Sequence, residues 1–291
     1  MKRIFMGLCA MTVLFTACSK DDNKGGGDGN GNPPAYANAA GSSAAIGVKE
    51  PNGFNHYVKS VITPGKDSSR YTYDSLNRIV KWEDRWVSNG ILGGQNIYAT
   101  YAEGKLVKRE RQSLNSNTKT LHEQFQYNGA GLVMKIAKYS QDGRLYGIDS
   151  ISYNAQGLPI ANDYYAFDDV KASFYLSSRN VITYDNNGNI TKLENFHANY
   201  ETKKLESDGW YILEFDGKPN ALLPTVLHQE DFYLESVAKS NMTKATEYDA
   251  DGKVTGVYTF EYTYNDKGFP TTVKQSANGQ STTMKIDYNI K

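Results

Sequence analysis

The sequence predicts an all-β fold of antiparallel β-hairpin repeats, a meander that forms a twisted or curled sheet. Three observations predict it. Apolar and polar residues alternate with period two: Tyr258, Phe260, Tyr262 and Tyr264 share one strand face, as do Met284, Ile286, Tyr288 and Ile290, and Leu132, Met134 and Ile136. A short turn motif recurs along the chain. The composition fits a folded sheet, with 22 Tyr against 18 Leu in 291 residues, 12% aromatics and a formal charge of zero. Disorder needs high net charge and few aromatics. A nucleic-acid binder would show a basic stripe, so no nucleic-acid partner is expected.

Residues 1–17 read as a leader. Lys2 and Arg3 precede an apolar run from Ile4 to Phe15. That run is too short for a membrane span of about 20 residues and suits a signal peptide. The tetrad Phe15-Thr16-Ala17-Cys18 resembles a bacterial lipobox, with Phe in place of the usual Leu or Val. The resemblance implies cleavage before Cys18 and lipidation of that residue. Two or more acyl chains give stable anchoring where one is marginal. The only other cysteine is Cys9, inside the leader, so the mature chain has no disulfide framework and no thiolate metal site.

Ser19, Lys20, Asp21 and Asp22 follow. They resemble the acidic export tag of Bacteroidota lipoproteins, which implies the outer membrane as partner through the acyl chains. It places the chain on the cell surface, with a periplasm-facing orientation as the alternative. From Cys18 to residue 50, Gly, Asn, Ser, Ala and Pro dominate and nothing could pack. This is a flexible tether, with a root-mean-square span of roughly 30 Å for about 30 residues. Losing Lys2 and Arg3 with the leader takes the formal charge to −2.

Residues 51–291 form the repeat domain. The motif is an aromatic residue, Asp or Asn, two residues, then Gly. It stands at Tyr127-Asn128 to Gly131, Tyr153-Asn154 to Gly157, Tyr184-Asp185 to Gly188, Tyr248-Asp249 to Gly252 and Tyr264-Asn265 to Gly268. Tyr73-Asp74 to Asn77 and Tyr139 to Gly143 are looser copies, and Tyr101 to Gly104 and Phe215 to Gly217 shortened ones. Asp or Asn starts a turn by accepting a backbone N–H two residues on, and Gly supplies the positive φ that closes it. With a looser turn such as Ser88-Asn89-Gly90 at the far end of each repeat, about 12 to 15 strands are expected. These residues resemble the YD-repeat (Rhs-like) family, and more closely Bacteroidota surface lipoproteins of unknown function with degenerate copies. The full Gly-Arg-Leu signature survives only at Gly143-Arg144-Leu145, and no toxin core is recognisable.

Phe215-Asp216-Gly217-Lys218-Pro219-Asn220 and Lys239-Ser240-Asn241 resemble the pair that brackets a short helical insertion in those lipoproteins. Leu223, Val226, Leu227 and Leu234 lie at roughly helical spacing, with Pro224 suited to a first turn, so a short helix is expected near 221–238. An open sheet must protect its edges, and the terminal strand Met284 to Ile290 or Lys-rich flanks would do so. A closed barrel or a propeller is the second architecture considered.

Catalytic spacing is absent. His56, His122, His197 and His228 form no metal-binding pair, and neither a nucleophile elbow nor a phosphate loop occurs. The Asp-rich turns lack the distal Glu of a calcium loop. No catalytic residue, metal or cofactor is assigned, and the chain reads as a non-enzyme. Trp82, Trp86 and Trp210 are a candidate ligand platform. The competing reading packs Trp82 and Trp86 with Val80 in the core. The expected function is a cell-envelope lipoprotein presenting a binding or interaction module for a glycan, a peptide or a partner envelope protein. The alternatives are a structural envelope protein and, with less support, a glycoside hydrolase-type enzyme built on a carboxylate pair.

Overall fold

In the computed structural model, the described residues are 56–186, 188–199, 201–220 and 238–290. They form sixteen antiparallel strands: β1 (His56–Thr63), β2 (Asp67–Tyr73), β3 (Ile79–Ser88), β4 (Ile91–Ala102), β5 (Lys105–Ser113), β6 (Thr120–Tyr127), β7 (Val133–Tyr139) and β8 (Leu145–Tyr153), then β9 (Pro159–Asp168), β10 (Ser173–Tyr184), β11 (Ile190–Ala198), β12 (Leu205–Pro219), β13 (Ser240–Tyr248), β14 (Val254–Tyr264), β15 (Pro270–Ala277) and β16 (Gln280–Ile290). Each strand pairs with its neighbour in sequence, and β1 pairs with β16, so the sheet is a closed barrel.

This corrects the expectation of an open twisted or curled sheet. The last strand does not guard an edge; it lies against β1, with Val61 opposite Ile286 and Ile62 opposite Lys285. Closure abolishes edges altogether. The described residues contain no helix, and the helix expected near 221–238 falls, save for Ala238, on residues outside them.

Both described chain ends lie at one rim, here the terminal rim, with the turns that follow even-numbered strands. The turns after odd-numbered strands make the distal rim. The Asp and Asn of the motif act as acceptors at both. Asn154 Oδ1 accepts from the N–H of Gln156 and Leu158 at 3.0 and 2.9 Å. Asn128, Asp249 and Asn265 do the same in their own turns. Gly157 closes its turn at φ 78°, and Asn77 at φ 62° takes the place of Gly in the turn after Tyr73. The copies beginning at Tyr139 and Tyr248 end odd-numbered strands and so sit at the distal rim, whereas the copy at Tyr264 sits at the terminal rim.

A one-residue register shift stands next to each motif aromatic, as between Gln126 and Tyr127 opposite β7. The bulge changes which parity faces inward. It therefore overturns the set Leu132, Met134 and Ile136: Val133 is fully buried with Ile136, and Met134 is the extra residue of the bulge.

Burial marks the inner face. In β14, Tyr258 and Phe260 are buried, and the residues of opposite parity, Thr255, Val257, Thr259, Glu261 and Thr263, are exposed. In β16, Met284 and Ile286 alternate with exposed Thr283, Lys285 and Asp287. Three apolar clusters line the inner wall. One is centred on Val58, Val61, Ile190, Phe260 and Val273, one on Leu106, Phe125, Val133 and Ile151, and one on Ile79, Trp82 and Ile97.

Tyrosine completes this layer. The hydroxyls of Tyr73, Tyr101, Tyr127, Tyr153, Tyr184 and Tyr288 donate to the carbonyls of Val58, Ile79, Leu106, Val133, Pro159 and Pro270 at 2.6 to 2.9 Å. Tyr262 reaches Met242 in the same way at 2.7 Å. In each case a residue near the end of an even strand latches the start of the preceding odd strand. Aliphatic groups at these starts, such as Ile79, Leu106 and Val133, are fully buried. Burial pushes the Tyr184, Tyr262 and Tyr288 phenols well above their usual range. In the β11–β12 hairpin the motif position is Phe215, which has no hydroxyl to give.

Candidate functional site

On β5 to β9 the inner face changes character along the barrel axis. There the aliphatic layer gives way toward the distal rim to charged and amide side chains. A second bulge shapes this belt. Arg109 pairs with Glu123 and Glu110 with Leu121, which leaves His122 as the extra residue.

Arg109 is 3% exposed and Glu123 7%. Arg109 Nη1 lies 3.0 Å from Glu123 Oε2. The guanidinium stands 4.8 Å from the Phe125 ring centroid and 5.4 Å from that of Trp82. A buried ion pair tolerates its desolvation only when both partners stay in place. Burial alone would raise the Glu123 carboxyl, but Arg109, then His122 and Lys138, outweigh it and hold the group below its usual value. Burial pushes His122 the other way, toward the neutral imidazole.

One strand further on, Lys138 Nζ meets Asp149 Oδ2 at 2.7 Å, and Asn162 Nδ2 donates to Asp149 Oδ1 at 3.3 Å. Asp149 and Asn162 are both buried. Gly147 has no side chain where one would collide with the Tyr164 ring, so that ring lies flat across the β8 backbone. Lys138 Nζ sits 5.6 Å from the same ring. Burial pushes the Tyr164 phenol up to about 12 and raises that of Tyr146. Two buried side-chain atoms in this belt, the amide oxygen Asn162 Oδ1 and the ring nitrogen His122 Nδ1, have no hydrogen-bond partner among the described residues. The belt thus combines two ion pairs, buried polar atoms and half-buried phenol rings, and its partly exposed groups, Lys138, Tyr146 and Tyr164, are those that can meet a polar ligand.

The structure separates the three tryptophans. Trp82 is buried in the inner apolar layer. Trp86 is exposed near the tip of the β3–β4 hairpin, with Val87, Ile91 and Leu92. Trp210 stacks on Tyr248 at 5.3 Å with Lys192 5.1 Å from its ring, away from the belt. Cys18 and the tag Ser19 to Asp22 lie outside the described residues.

The turn residues of the motif stand at the rims. Asp216, however, joins a polar cluster with the other bracketing segment. Asn241 Nδ2 donates to Asp216 Oδ2 at 3.4 Å and to the Lys218 carbonyl at 3.3 Å, and the Tyr264 hydroxyl donates to Asp216. Asn220 Nδ2 reaches the Ala238 carbonyl at 3.0 Å. The two segments that resemble an insertion bracket are therefore tied together at the terminal rim.

Sequence reasoning missed the belt. Arg109, Arg111, Glu123, Lys138, Asp149 and Asn162 carry no motif, and His122 forms no metal-binding pair in the sequence. The bulges at β4–β5 and β5–β6 hide the shared face of these residues from a strict period-two reading.

No family model and no curated protein matches the chain. Among solved structures it is similar to a porin-like protein from Bacteroides uniformis, at 11% identity over 80% of this chain and 98% of that one, with a TM-score of 0.51. A porin-like protein from Bacteroides vulgatus aligns at 13% identity over 81% and 99% of the two chains, with a TM-score of 0.44. The Photorhabdus luminescens Tc holotoxin pore aligns at 12% identity with a TM-score of 0.31, over 77% of this chain and 12% of that one. The first likeness shows the fold, a β-barrel architecture shared with a porin-like protein.

Proposed function

We propose that this chain is a lipid-anchored protein of the cell envelope whose β-barrel stands in water and binds a polar ligand on its inner belt. The lipobox and acidic tag support the anchor, and the tether accounts for a barrel held off the membrane. The YD-type repeat is read as the unit of the wall.

The observation that carries the reading is the wall's polarity. A membrane-spanning barrel needs an apolar outer band about 25 Å tall and a polar lumen. Here the exposed strand face carries Lys59, Arg70, Lys135, Glu214, Glu261, Lys274 and Lys285. The exposed large apolar residues instead gather mainly at turns and strand ends, as at Leu76, Ile91, Leu92 and Val170. Each Lys or Arg at mid-bilayer depth would cost about 2–4 kcal/mol, and each Glu somewhat less. With no catalytic spacing in the sequence, binding is favoured over catalysis.

The test combines location and capture. Cys18→Ala should abolish incorporation of a palmitate analogue, and the chain made from Ser19 onward, without leader or Cys18, should stay in solution without detergent. That shortened chain extracted only by detergent would refute the water-standing barrel. A glycan array should then show ligands captured by the native chain and lost in Tyr164→Ala. Capture unchanged in that variant would place the site elsewhere.

A further inference from the structure

Resting on the lipid anchor at Cys18, we propose that the tip of the β3–β4 hairpin is a second membrane contact, which dips into the bilayer that holds the anchor while the wall stays in water. The tip carries Trp86 at 39% exposure, Val87 at 44%, Ile91 at 72% and Leu92 at 58%, half of the large apolar residues that stand exposed among the described ones. No charged residue occurs from Trp86 to Ala102. Val170 in the turn after β9 and Val254 at the start of β14 are exposed at the same distal rim.

The geometry of the tip selects its surroundings. Pairing with β2 ends at Trp86, opposite Asp67, and pairing with β5 ends at Gln95, opposite Ser113. The hairpin runs on past both, with Val87 opposite Leu92 and Ser88 opposite Ile91, and turns at Asn89 and Gly90 with φ of 51° and 77°. Val87 and Leu92 therefore face one side of the ribbon, and Trp86 and Ile91 the other. A protein groove covers one side of a ribbon, whereas a lipid phase surrounds both. A stable protein interface also takes about 20–30 residues a side, far more than this tip supplies. Trp86 stands nearest the wall, its ring against the backbone of Gly93, where a Cβ would lie 2.3 Å from the indole Nε1. That is the place of an indole at a membrane–water interface, with Ile91 and Leu92 reaching further out. The peptide groups of Asn89 and Gly90 at the apex cannot go dry, which holds the insertion to the headgroup–acyl boundary, roughly 5–10 Å deep.

The anchor reaches this rim. His56 starts β1 at the opposite rim, and residues 19–55 join it to Cys18. As a coil, about 37 residues span roughly 35 Å, and at full extension about 120 Å. A strand of about ten residues rises only about 33 Å. The barrel can thus turn its distal rim to the membrane that holds it. Tethering makes the contact intramolecular, so a weakly binding tip suffices.

Tryptophan fluorescence of the mature lipidated chain, reconstituted in phosphatidylcholine vesicles with brominated acyl chains, tests the proposal. Part of the emission should be quenched relative to unbrominated vesicles, and Trp86→Phe should remove that part. Raising the salt from about 0.1 M to about 1 M should leave the quenching in place, because the tip bears no charge. In the chain from Ser19 onward, which keeps every described residue, Ile91→Ser with Leu92→Ser should lower vesicle partitioning at least about tenfold and leave the thermal midpoint unchanged. Emission that bromine does not change, in a chain that is anchored, would overturn the docking and leave the anchor standing. A chain that does not join the vesicles would overturn the anchor and the docking that rests on it. Quenching that salt removes, or partitioning that the double change does not lower, would overturn the role of the apolar tip. A dimer of the shortened chain that the double change splits would assign the tip to a second copy and overturn the lipid.

Discussion

The Tyr153 hydroxyl donates to the Val133 carbonyl at 2.7 Å, and Val133 is fully buried. One side chain thus covers an aliphatic group and fixes the open end of the β7–β8 hairpin. Tyr153→Phe keeps the cover and loses the bond, so it should cost about 1 kcal/mol. Tyr153→Ala loses both and should cost about 3–5 kcal/mol. Phe215 is the position where this latch is missing. Phe215→Tyr would carry a hydroxyl toward the Ile190 carbonyl and should raise stability by about 0.5–1 kcal/mol. Denaturant midpoints check all three; a destabilising Phe215→Tyr would show that this hairpin is not equivalent to the others.

Gly268 stands at φ 82° with open space around the point where a Cβ would be. Its requirement is conformational alone. Gly268→Ala should cost about 1–2 kcal/mol. Gly268→Asn should cost less, because Asn77 holds the same turn position at φ 62°. Equal losses in thermal melts would mean that the glycine serves some other purpose.

The Arg109–Glu123 pair sets the acid limit of the fold. Its carboxyl is held below the usual value in the folded chain and is ordinary in the unfolded one, near 4.3. Its contribution is complete above that value and is lost as pH falls through the lower folded one. Glu123→Gln leaves Arg109 buried without its counter-charge and should cost about 3–5 kcal/mol at neutral pH. Replacing both, as Arg109→Met with Glu123→Leu, should recover most of that loss and flatten the acid limb. A double variant no better than the single would refute this account of the pair.

Asp84 carries the opposite sign. Burial raises its carboxyl, although Ser69 Oγ at 2.6 Å and Gln95 Nε2 at 3.3 Å both donate to it. A raised folded value means stability falls as pH rises from the unfolded value through the folded one. Asp84→Asn should therefore be more stable than the native chain at neutral pH and lose that advantage below about pH 4. Unfolding midpoints across pH 3–8 give the answer, and a variant weaker at neutral pH would contradict it.

The hairpins were legible because their chemistry is local. Asn154 and Gly157 form their turn with backbone groups of adjacent residues, and Tyr258 and Phe260 share a face within one strand. Closure was not legible. Val61 and Ile286 meet across 225 positions of sequence, and nothing in β1 or β16 distinguishes them from strands left as edges. The inner belt was hidden for a different reason. Each bulge shifts parity by one, so Arg109, Glu123 and Lys138 do not share a period until pairing is known. Repetition hid something as well. The motif looks alike at both rims, yet Tyr153 latches a hairpin and Tyr248 stacks on a tryptophan.

The barrel's closure is the claim on which the inner belt depends, and one disulfide measures it. Ile62 and Lys285 face each other across the β1–β16 seam, at a separation that antiparallel neighbours share with disulfides. The only native cysteines are Cys9 and Cys18, which precede the described residues in sequence. Ile62→Cys with Lys285→Cys, placed in the Cys18→Ala background, should oxidise spontaneously, migrate faster on non-reducing gels and melt higher than its reduced form. Thiols that stay free and reactive under the same conditions would show that the two strands do not meet and that the sheet is open.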